Sequence, residues 1–355
     1  MNSDLSTLVP RALQSRRPLL HHLNADTTWL VQIPLPDPTA SRRWYNILLD
    51  PWLTGSQSDV ASWFSKQSHV VEPALGGIGE VEQFCRKVEE LSAARNPGGA
   101  DAAGIDGGES DGEQPALSLI DAVAISHEFT DHCHEATLRQ CDPSVPVFAN
   151  SKAVDLIRGW KHFDTVIESP PFDGEHSNWR EASVDPLPRW IGITRLVSKS
   201  DALYYHSAIM ITFPLPSDPD DSDPTTTEAI IYTPHGIHAP SLSSVASASP
   251  PIRTLALLHG LHDVSIDWGQ QLNLGAHNGL AAQRALHARY WIGTHDEEKK
   301  GGGLVSWFLR RKSITVEDAL QEAAAKEDGE VKEDGNVLGD GEFMELGNGN
   351  SAILA

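Results

Sequence analysis

Cysteine, long apolar runs and basic side chains are all scarce in this chain of 355 residues. The three cysteines, Cys85, Cys133 and Cys141, follow no regular spacing. The sequence therefore predicts no disulfide framework and favours a reducing, cytoplasmic location. No apolar run approaches the ~18 residues of a membrane span, and residues 1–20 lack the apolar core of a signal peptide. These scarcities exclude disulfide-stapled secreted domains and integral membrane proteins from the expected classes.

The charge of the chain is strongly acidic but unevenly distributed. Lysine and arginine number 27 against 49 acids, for a formal net charge of −22. Residues 101–113 and 218–228 each carry five acids and no base, and residues 317–355 carry a net charge of −9. The rest of the sequence is close to neutral and offers no basic surface, so we expect no binding to nucleic acid.

Short apolar runs bounded by glycine, proline, asparagine or aspartate recur along the chain, and their composition predicts strands. These runs are 28–35, 45–50, 117–126, 145–150, 208–215, 229–234, 254–260 and 290–295. Apolar side chains at helical spacing predict helices at 78–91, 151–160 and 279–291. Strands that alternate with helices predict a layered α/β sandwich.

The composition also predicts how the chain is divided. Residues 95–116 and 216–227 are rich in glycine, proline and acids, so we interpret them as disordered insertions within a single domain. The predicted divisions are an N-terminal segment 1–24, a domain 25–316, and an acidic, disordered tail 317–355.

The stretch 125-ISHEFTDHCHEATL-138 places metal-capable side chains directly after a predicted buried strand. His127, Asp131, His132 and His134 lie in a predicted strand-to-helix turn, which can direct several side chains to one point. Imidazole and carboxylate ligands together suit zinc, iron or manganese. Because four residues of one turn seldom complete a coordination sphere, we expect further ligands from distant segments.

The motif 127-HEFTDH-132 resembles the His-x-His-x-Asp-His signature of the metallo-β-lactamase superfamily. The resemblance extends to Asp50 at a predicted strand end and to His295 after a late strand, and it covers most of the chain. His235 takes the position of the bridging aspartate of the family. Within the superfamily the chain looks closest to the lactonase- and phosphodiesterase-like branch. The fold that this resemblance implies is an αββα sandwich, with the metal site at the edge between the two sheets.

Departures from the family pattern predict a reduced metal site. Family members typically bind two metal ions, and the second motif histidine and a mid-chain histidine help to hold the first of them. Phe129 replaces that motif histidine, and His176 and His206 match the mid-chain histidine by position only. The resemblance therefore implies a single divalent ion, with zinc in first place and iron or manganese as alternatives. The implied ligands are His127, Asp131, His132, His235 and His295.

The implied activity is hydrolysis of a small-molecule ester, lactone, amide or phosphodiester by a metal-bound hydroxide. Asp50 and Asp131 are the predicted catalytic residues. Asp50 is expected either to orient a ligating histidine or to accept a proton from water. A catalytically inactive binding protein on the same fold stays open as an alternative, and so does a redox-active iron centre.

Four further residues are candidates to line the cleft beside this site. Trp52 lies on the segment 51–69, which reads either as an apolar lid over the cleft or as a packed crossover. His259 and His262 follow another predicted strand, and His277 lies in a nearby loop. The alternative interpretation is core packing for the tryptophan and ordinary surface or loop positions for the histidines.

Overall fold

The computed structural model describes residues 4–37, 42–58, 63, 65–94, 117–173, 178–197, 205–214, 227–266, 270–302, 307–326 and 341–355. The predicted insertion at 95–116 and His176 lie outside these residues, and so does the predicted insertion at 216–227 apart from Thr227. Thr227 begins a strand, so that insertion ends one residue earlier than predicted.

The described part of the chain forms eighteen strands. In chain order they are β1 Leu19–His22, β2 Trp29–Pro34, β3 Trp44–Leu49, β4 Lys66–Ser68, β5 Ala122–Ile125, β6 Val147–Ala149, β7 Val166–Glu168, β8 Gly192–Val197, β9 Ser207–Pro214, β10 Thr227–Thr233, β11 Ile252–His259, β12 Asp263–Ile266, β13 Gln270–Asn273, β14 Tyr290–Ile292, β15 Lys300–Gly302, β16 Leu309–Lys312, β17 Glu342–Met344 and β18 Ser351–Ile353. All eight predicted apolar runs overlap one of these strands.

The α-helices of the same residues are α1 Leu5–Gln14, α2 Ile78–Ala93, α3 Glu135–Leu138, α4 Ser151–Trp160, α5 Ser243–Ala246, α6 Ala276–Leu286 and α7 Val316–Lys326. Short 3-10 turns occupy Trp179–Glu181 and Ala239–Leu242. Helix α4 begins where predicted, and the Asn150 side chain caps it by accepting from the Ala153 amide at 2.9 Å. Within the described residues, a helix with the length and apolarity to cross a membrane is not found.

Two large sheets form the centre of the molecule. The first has the strand order β18-β1-β2-β3-β5-β6-β7, and the second has the order β17-β14-β11-β10-β9-β8. Two small sheets, β13-β12-β16 and β15-β4, lie apart from them. Strands β3, β5, β6 and β7 are parallel to one another, as are β10, β11, β14 and β17.

Side chains that alternate along each strand build a four-layer sandwich. In β2, Trp29 and Val31 pack between the two sheets, whereas Leu30 packs on the outer face with residues of α1, α2 and α4. All six residues of β2 are buried, because both faces of the first sheet are covered. Helices α5 and α6 cover the outer face of the second sheet in the same way. The predicted αββα sandwich is therefore confirmed.

Parallel strands bring their carboxyl ends to one edge of this sandwich. In the first sheet, Leu49 of β3 pairs with Ala124 of β5, so the residues that follow both strands lie side by side. In the second sheet, Thr233 of β10 pairs with His259 of β11. The loops after β3, β5, β10 and β14 therefore meet at one edge, as expected for ligand sites of α/β folds.

Both ends of the chain belong to the sandwich, which corrects the predicted division. Strand β1 of the predicted N-terminal segment pairs with both β2 and β18. The predicted disordered tail, 317–355, contains most of α7 and also β17 and β18, which are edge strands of the second and first sheets. Acidic and glycine-rich neighbours surround β17 and β18, and this composition predicted disorder instead of strands.

Candidate metal centre

The loop after β5 carries the predicted motif and is folded into a tight turn. The amides of His132 and Cys133 donate to the Phe129 carbonyl at 2.9 and 2.7 Å. This turn points Asp131 and His132 toward the edge where the two large sheets meet, and His134 bonds to Thr137 instead, at 2.9 Å from its Oγ1. Asp131 and His132 therefore belong to the site, whereas His134, only two residues further on, does not.

Five predicted ligands come together at this edge in two overlapping groups. One group contains three histidines, His127, His132 and His235, and the other contains Asp131, His132 and His295. In each group, one candidate ligand atom per residue lies within 4.8 Å of the others. His132 belongs to both groups, so it is the centre of the arrangement. Among the described residues, His206 joins neither group, and its Nδ1 lies 3.2 Å from the His235 carbonyl.

A buried carboxylate fixes the orientation of His132. His132 Nδ1 donates to Asp50 Oδ2 at 2.7 Å, which leaves its Nε2 as the lone-pair nitrogen that faces the site. Asp50 also accepts from the Ser126 amide at 2.7 Å, from the Ser126 hydroxyl, and from the Tyr232 hydroxyl at 2.8 Å. Its side chain is fully buried and does not line the cavity. Of the two predicted roles, the structure therefore favours orientation over proton transfer.

A second carboxylate, that of Asp26, fixes the orientation of His295 in the same way. His295 Nδ1 donates to Asp26 Oδ1 at 3.0 Å, and the His295 amide donates to the Asp26 carbonyl at 2.9 Å. The sequence analysis missed Asp26, which lies in the turn between β1 and β2. In both pairs a carboxylate holds one imidazole nitrogen and leaves the other for a ligand, the arrangement found around metal-bound histidines.

Both pairs contain a residue with an unusual backbone conformation. Asp50 has a φ of 40° and His295 has a φ of 60°, in the left-handed region that residues other than glycine seldom adopt. Contacts hold the two conformations in place: the Asp50 amide donates to the Ala124 carbonyl at 3.1 Å, and the Thr28 hydroxyl donates to the Asp50 carbonyl at 3.0 Å. Such conformations cluster at functional sites because the surrounding structure must impose them.

The histidine-only group is less firmly oriented. His127 Nε2 lies 2.8 Å from the Tyr205 carbonyl oxygen, and its ring stacks on that of His235 at a centroid distance of 4.4 Å. The Phe129 ring is also nearly parallel to that of His235, at 5.8 Å between centroids. His235 Nε2 lies 2.9 Å from His132 Nε2, and its buried Nδ1 has no hydrogen-bond partner. No carboxylate fixes the tautomer of these two rings.

The electrostatic environment keeps most of these imidazoles neutral. Burial lowers the pKa of His127 and His235, and the neighbouring histidines lower it further. Burial and a nearby ammonium also lower the pKa of His295. Burial acts in the same direction on His132, but two adjacent carboxylates outweigh it and raise its pKa. Three of the four rings therefore keep a lone pair at neutral pH, which a metal ion requires.

Lys299, which the sequence analysis did not identify, lies inside the site. Its Nζ is 2.8 Å from Asp131 Oδ2 and 2.7 Å from Asp26 Oδ2, and only 6% of the side chain is exposed. Burial would raise the pKa of Asp131, but the Lys299 ammonium together with the neighbouring His132 and His295 outweighs it and holds that pKa well below its usual range. The other oxygen, Asp131 Oδ1, lies 3.6 Å from His132 Nε2. Asp131 thus offers one oxygen to the ammonium and one to the imidazoles.

The donor set fits a divalent metal ion. Neutral imidazoles and an ionised carboxylate are the ligands that zinc, iron and manganese accept. The unpartnered Nδ1 of His235 is a buried polar group that the protein alone leaves unsatisfied. The residues predicted to bind metal are therefore placed where they could do so.

A cavity of about 280 Å³ opens onto the donor set. Asp131, His235, His295 and Lys299 lie at its base. Its walls are largely apolar and come from the small sheet β13-β12-β16, with Gln57, Gln67 and Arg311 as polar additions; the apolar residues are Val264, Ile266, Leu272 and Leu309. The cavity is of the size of a small-molecule site.

The four residues that were predicted to line the cleft are not among the residues that line this cavity. Trp52 is fully buried and packs against His69 at 3.8 Å between ring centroids. His259 is also fully buried and bonds to Asn278, whereas His277 lies near the surface beside Glu322. His262 interacts with Arg311 but does not itself line the cavity. Residues of 51–69 contribute Gln57, Ser65 and Gln67 to the cavity, and these are polar, so an apolar lid is not found in the described part of that segment.

No family model matches the sequence, and no curated protein matches it either. Solved structures do match the fold. An isothiocyanate hydrolase from Delia radicum gut bacteria aligns over 94% of this chain and 98% of its own, with a TM-score of 0.50 and 11% identity. A possible metal-dependent hydrolase from Veillonella parvula DSM 2008 aligns over 95% and 99%, with a TM-score of 0.52 and 9% identity. The metallo-β-lactamase fold protein YhfI from Bacillus subtilis aligns over 95% and 99%, with a TM-score of 0.46 and 12% identity.

Similarity at these identities concerns the fold alone. The chain has the metallo-β-lactamase fold, as the resemblance of its motif predicted, and its candidate His/Asp site lies at the sheet edge.

Proposed function

We propose that the protein is a metal-dependent hydrolase with a mononuclear centre. One observation carries the proposal: two carboxylate-oriented imidazoles, His132 and His295, converge with Asp131 beside a cavity that Asp131 and His295 line. Carboxylates orient metal-binding histidines in this way. The ion would be held by Asp131, His132, His295 and His235, and zinc is the ion that such ligands suit best.

When bound, a divalent metal ion would lower the pKa of a water molecule and polarise a carbonyl or phosphoryl oxygen. The chain itself supplies the surroundings. Asp50 and Asp26 hold the imidazoles in one tautomer, and Lys299 and Arg311 bring positive charge to the cavity. Positive charge at the base of an apolar cavity favours substrates whose negative charge grows as they react. Esters, lactones, amides and phosphodiesters all meet that description.

A small-molecule substrate is supported by the size of the cavity. Of the similar solved structures named above, the two with TM-scores of 0.50 and 0.52 are an isothiocyanate hydrolase and a possible metal-dependent hydrolase. The three cysteines are buried and unpaired, which supports the proposal of a cytoplasmic protein.

A catalytically inactive binding protein is the second candidate, and one observation favours it. Phe129 stacks on His235, and the Tyr205 carbonyl lies on His127 Nε2, so the chain itself occupies part of the histidine-only group. Such a protein would use the cavity to bind a ligand without converting it.

The experiment that tests the proposal is the elemental metal content of the purified protein beside an Asp131→Ala/His295→Ala double variant. The expected result is about one zinc, iron or manganese ion per chain in the wild type, and loss of this ion in the double variant. A His277→Gln variant is the matched control, because that histidine lies away from the site and must leave the metal content unchanged.

A screen with chromogenic esters, lactones, amides and phosphodiesters then separates the two candidates. Hydrolysis that requires the reconstituted ion and disappears in the double variant supports the enzyme. A wild-type protein that binds no metal after reconstitution with each ion overturns the hydrolase and leaves the binding protein.

A further inference from the structure

The cavity wall that β12 and β16 form has an apolar part and a charged part. Leu309 of β16 pairs with Ile266 of β12, and Arg311 pairs with Val264. All four side chains line the cavity, as expected for residues two apart on a strand, which face the same side. Leu309 and Arg311 are about 7 Å apart along the strand, at roughly 3.4 Å per residue. A ligand on this wall therefore meets aliphatic side chains and a guanidinium within one short length.

Arg311 is tied to the segment that follows the candidate ligand His295. Its Nη1 donates to the carbonyls of Asp296 and Glu297 at 3.3 and 3.0 Å, and His262 Nδ1 lies 3.0 Å from the same nitrogen. These bonds hold the guanidinium beside the residues that would bind the ion. The charged part of the wall is therefore adjacent to the candidate metal centre.

The positive charge of Arg311 remains available to a ligand. Within the described residues its hydrogen bonds go to uncharged acceptors, and the Asp296 carboxylate accepts instead from the amides of Leu261 and His262 at 2.9 Å. A guanidinium has five N–H donors, and the bonds to the described residues use Nη1, which leaves Nη2 and Nε. A second cation that lines the cavity, Lys299, is already paired with two carboxylates at 2.7 and 2.8 Å. Arg311 can therefore bind an anion, and a guanidinium does so through two parallel bonds to a carboxylate or phosphate.

Three aliphatic side chains of the same small sheet are incompletely covered by the protein. Ile266, Leu272 and Leu309 are half-buried, although each lines the cavity. The hydrophobic core clusters of the described residues do not include them. A ligand with an apolar chain would cover them, and each CH₂ group that is buried strengthens binding about threefold to fourfold. The wall therefore favours a ligand with an apolar chain over a wholly polar one.

We propose that the substrate of this site is an anionic amphiphile: its carboxylate or phosphate binds Arg311, and its apolar chain lies along Ile266, Leu272 and Leu309. Because Arg311 is held beside the segment after His295, the scissile bond would lie close to the anionic group. This inference rests on the proposed function where it speaks of a substrate, and the same class of ligand applies to a binding protein without activity.

The experiment is isothermal titration of five probes into the purified protein after reconstitution with zinc. Octanoate and octyl phosphate carry a chain with either anionic group, 1-octanol carries the chain alone, and acetate and inorganic phosphate carry the anions alone. One of the two anionic amphiphiles is expected to bind at least about tenfold more tightly than 1-octanol and than its anion alone. The tighter of the two identifies the anionic group. Equal affinities for both amphiphiles and for 1-octanol would overturn the inference.

Variants of β16 then test the two parts of the wall separately. Arg311→Gln should weaken binding of the anionic amphiphile about 10- to 100-fold, which is the contribution of hydrogen bonds to a charged group, and should leave 1-octanol binding unchanged. Leu309→Asn should weaken the binding of both. The matched control is Arg310→Gln, which removes the same charge from a neighbouring position that does not line the cavity and should leave every affinity unchanged. An anion that only the metal ion binds would keep its affinity in Arg311→Gln, and that result would overturn the inference.

The outcomes separate this inference from the proposed function. Hydrolysis that neither depends on Arg311 nor prefers an anionic substrate would overturn the inference and leave the metal-dependent hydrolase intact. A protein that holds no metal and hydrolyses nothing, but binds the anionic amphiphile through Arg311, would overturn the hydrolase and leave the class of ligand. If Arg311→Gln does not fold, Arg311→Lys decides, because an ammonium cannot form the two parallel bonds. An affinity of Arg311→Lys for the anionic amphiphile equal to that of the wild type would then overturn the inference.

Discussion

The two sides of the candidate centre are built differently. His132 and His295 each donate to a buried carboxylate, and their backbone neighbourhood contains two left-handed residues. His127 and His235 instead stack on each other and on Phe129, with no carboxylate to orient them. The difference teaches which ligands the fold orients through carboxylates: these are His132 and His295. The Ser126 hydroxyl and the Tyr205 carbonyl hold His127 instead, and ring stacking holds His235. The predictions that follow test this contrast in order of decreasing effect.

The largest loss of metal affinity is expected when His132, which Asp50 orients, is removed. His132→Ala should weaken metal binding roughly a thousandfold, because a structural zinc site gains on the order of 4 kcal/mol per ligand. His127→Ala should weaken it by about tenfold or less on the same scale. Competition with a chromogenic chelator measures both affinities. Equal losses in the two variants would mean that the two sides contribute alike.

Acid pH should destabilise the metal-free protein, because most of its buried histidines resist protonation. Burial lowers the pKa of His21 and His22 to about 4. The unfolded chain takes up these protons near pH 6.5 and the folded chain only near pH 4, so stability falls as the pH drops between these values. The two histidines together should lower the free energy of unfolding by about 4 kcal/mol at pH 5.

The protonation of His132 should change stability with pH in the direction opposite to that of His21 and His22. Its raised pKa contributes stability that is fully present below pH 6.5 and is lost as the pH rises through the folded-state pKa. Urea unfolding of the metal-free protein at pH 7.5 and pH 5 measures the sum. Stability that stays constant or increases toward pH 5 would contradict the neutral burial of His21 and His22.

Neutralising either carboxylate should have an intermediate effect. Asp50→Asn and Asp26→Asn keep the shape of the side chain but accept less strongly from His132 and His295. Each should reduce metal affinity by about 10- to 100-fold, the usual cost of losing a group that orients a ligand. Isothermal titration with zinc measures this loss. If Asp50→Asn left the metal affinity unchanged, the buried pair of Asp50 and His132 would not serve to orient a metal ligand.

The smallest change in metal affinity is expected when a ligand is added on the side of His127 and His235, where no carboxylate orients the histidines. Phe129→His places another imidazole beside His127 and His235, but no carboxylate is present to orient it. Metal affinity should rise by less than about tenfold, because a ligand that is not oriented must lose side-chain freedom on binding. Phe129→Leu is the control for the loss of stacking. A hundredfold gain in the metal affinity of Phe129→His would contradict the proposed difference between the two sides of the centre.

The sequence predicted those parts of the fold that have local signals. Long apolar runs such as 208–215 were recognisable because each lies within a strand buried on both faces. The motif at 127–132 was recognisable because a single turn carries three site residues at fixed spacing. The edge strands β17 and β18 had no such signal, because each lies in an acidic, glycine-rich stretch and depends on distant pairing partners.

The parts of the site that were missed are defined only by the tertiary structure. Asp26 and Lys299 are single polar residues in polar surroundings, and 296-DEEKK-300 is an ordinary charged run in the sequence. Their contact depends on the pairing of β15 with β4 and on the turn after β1. The cavity walls were misassigned for a similar reason, because β12, β13 and β16 come from segments about 40 residues apart in the chain.

The segment 341–355 supplies an edge strand to each large sheet. During synthesis these residues emerge after all the strands that they border, so both sheets present an open flank to other nascent chains until this segment arrives. An unpaired sheet edge invites pairing with another chain. A chain truncated before residue 341 would expose two unpaired sheet edges at once, so we expect it to aggregate rather than to lose activity slightly.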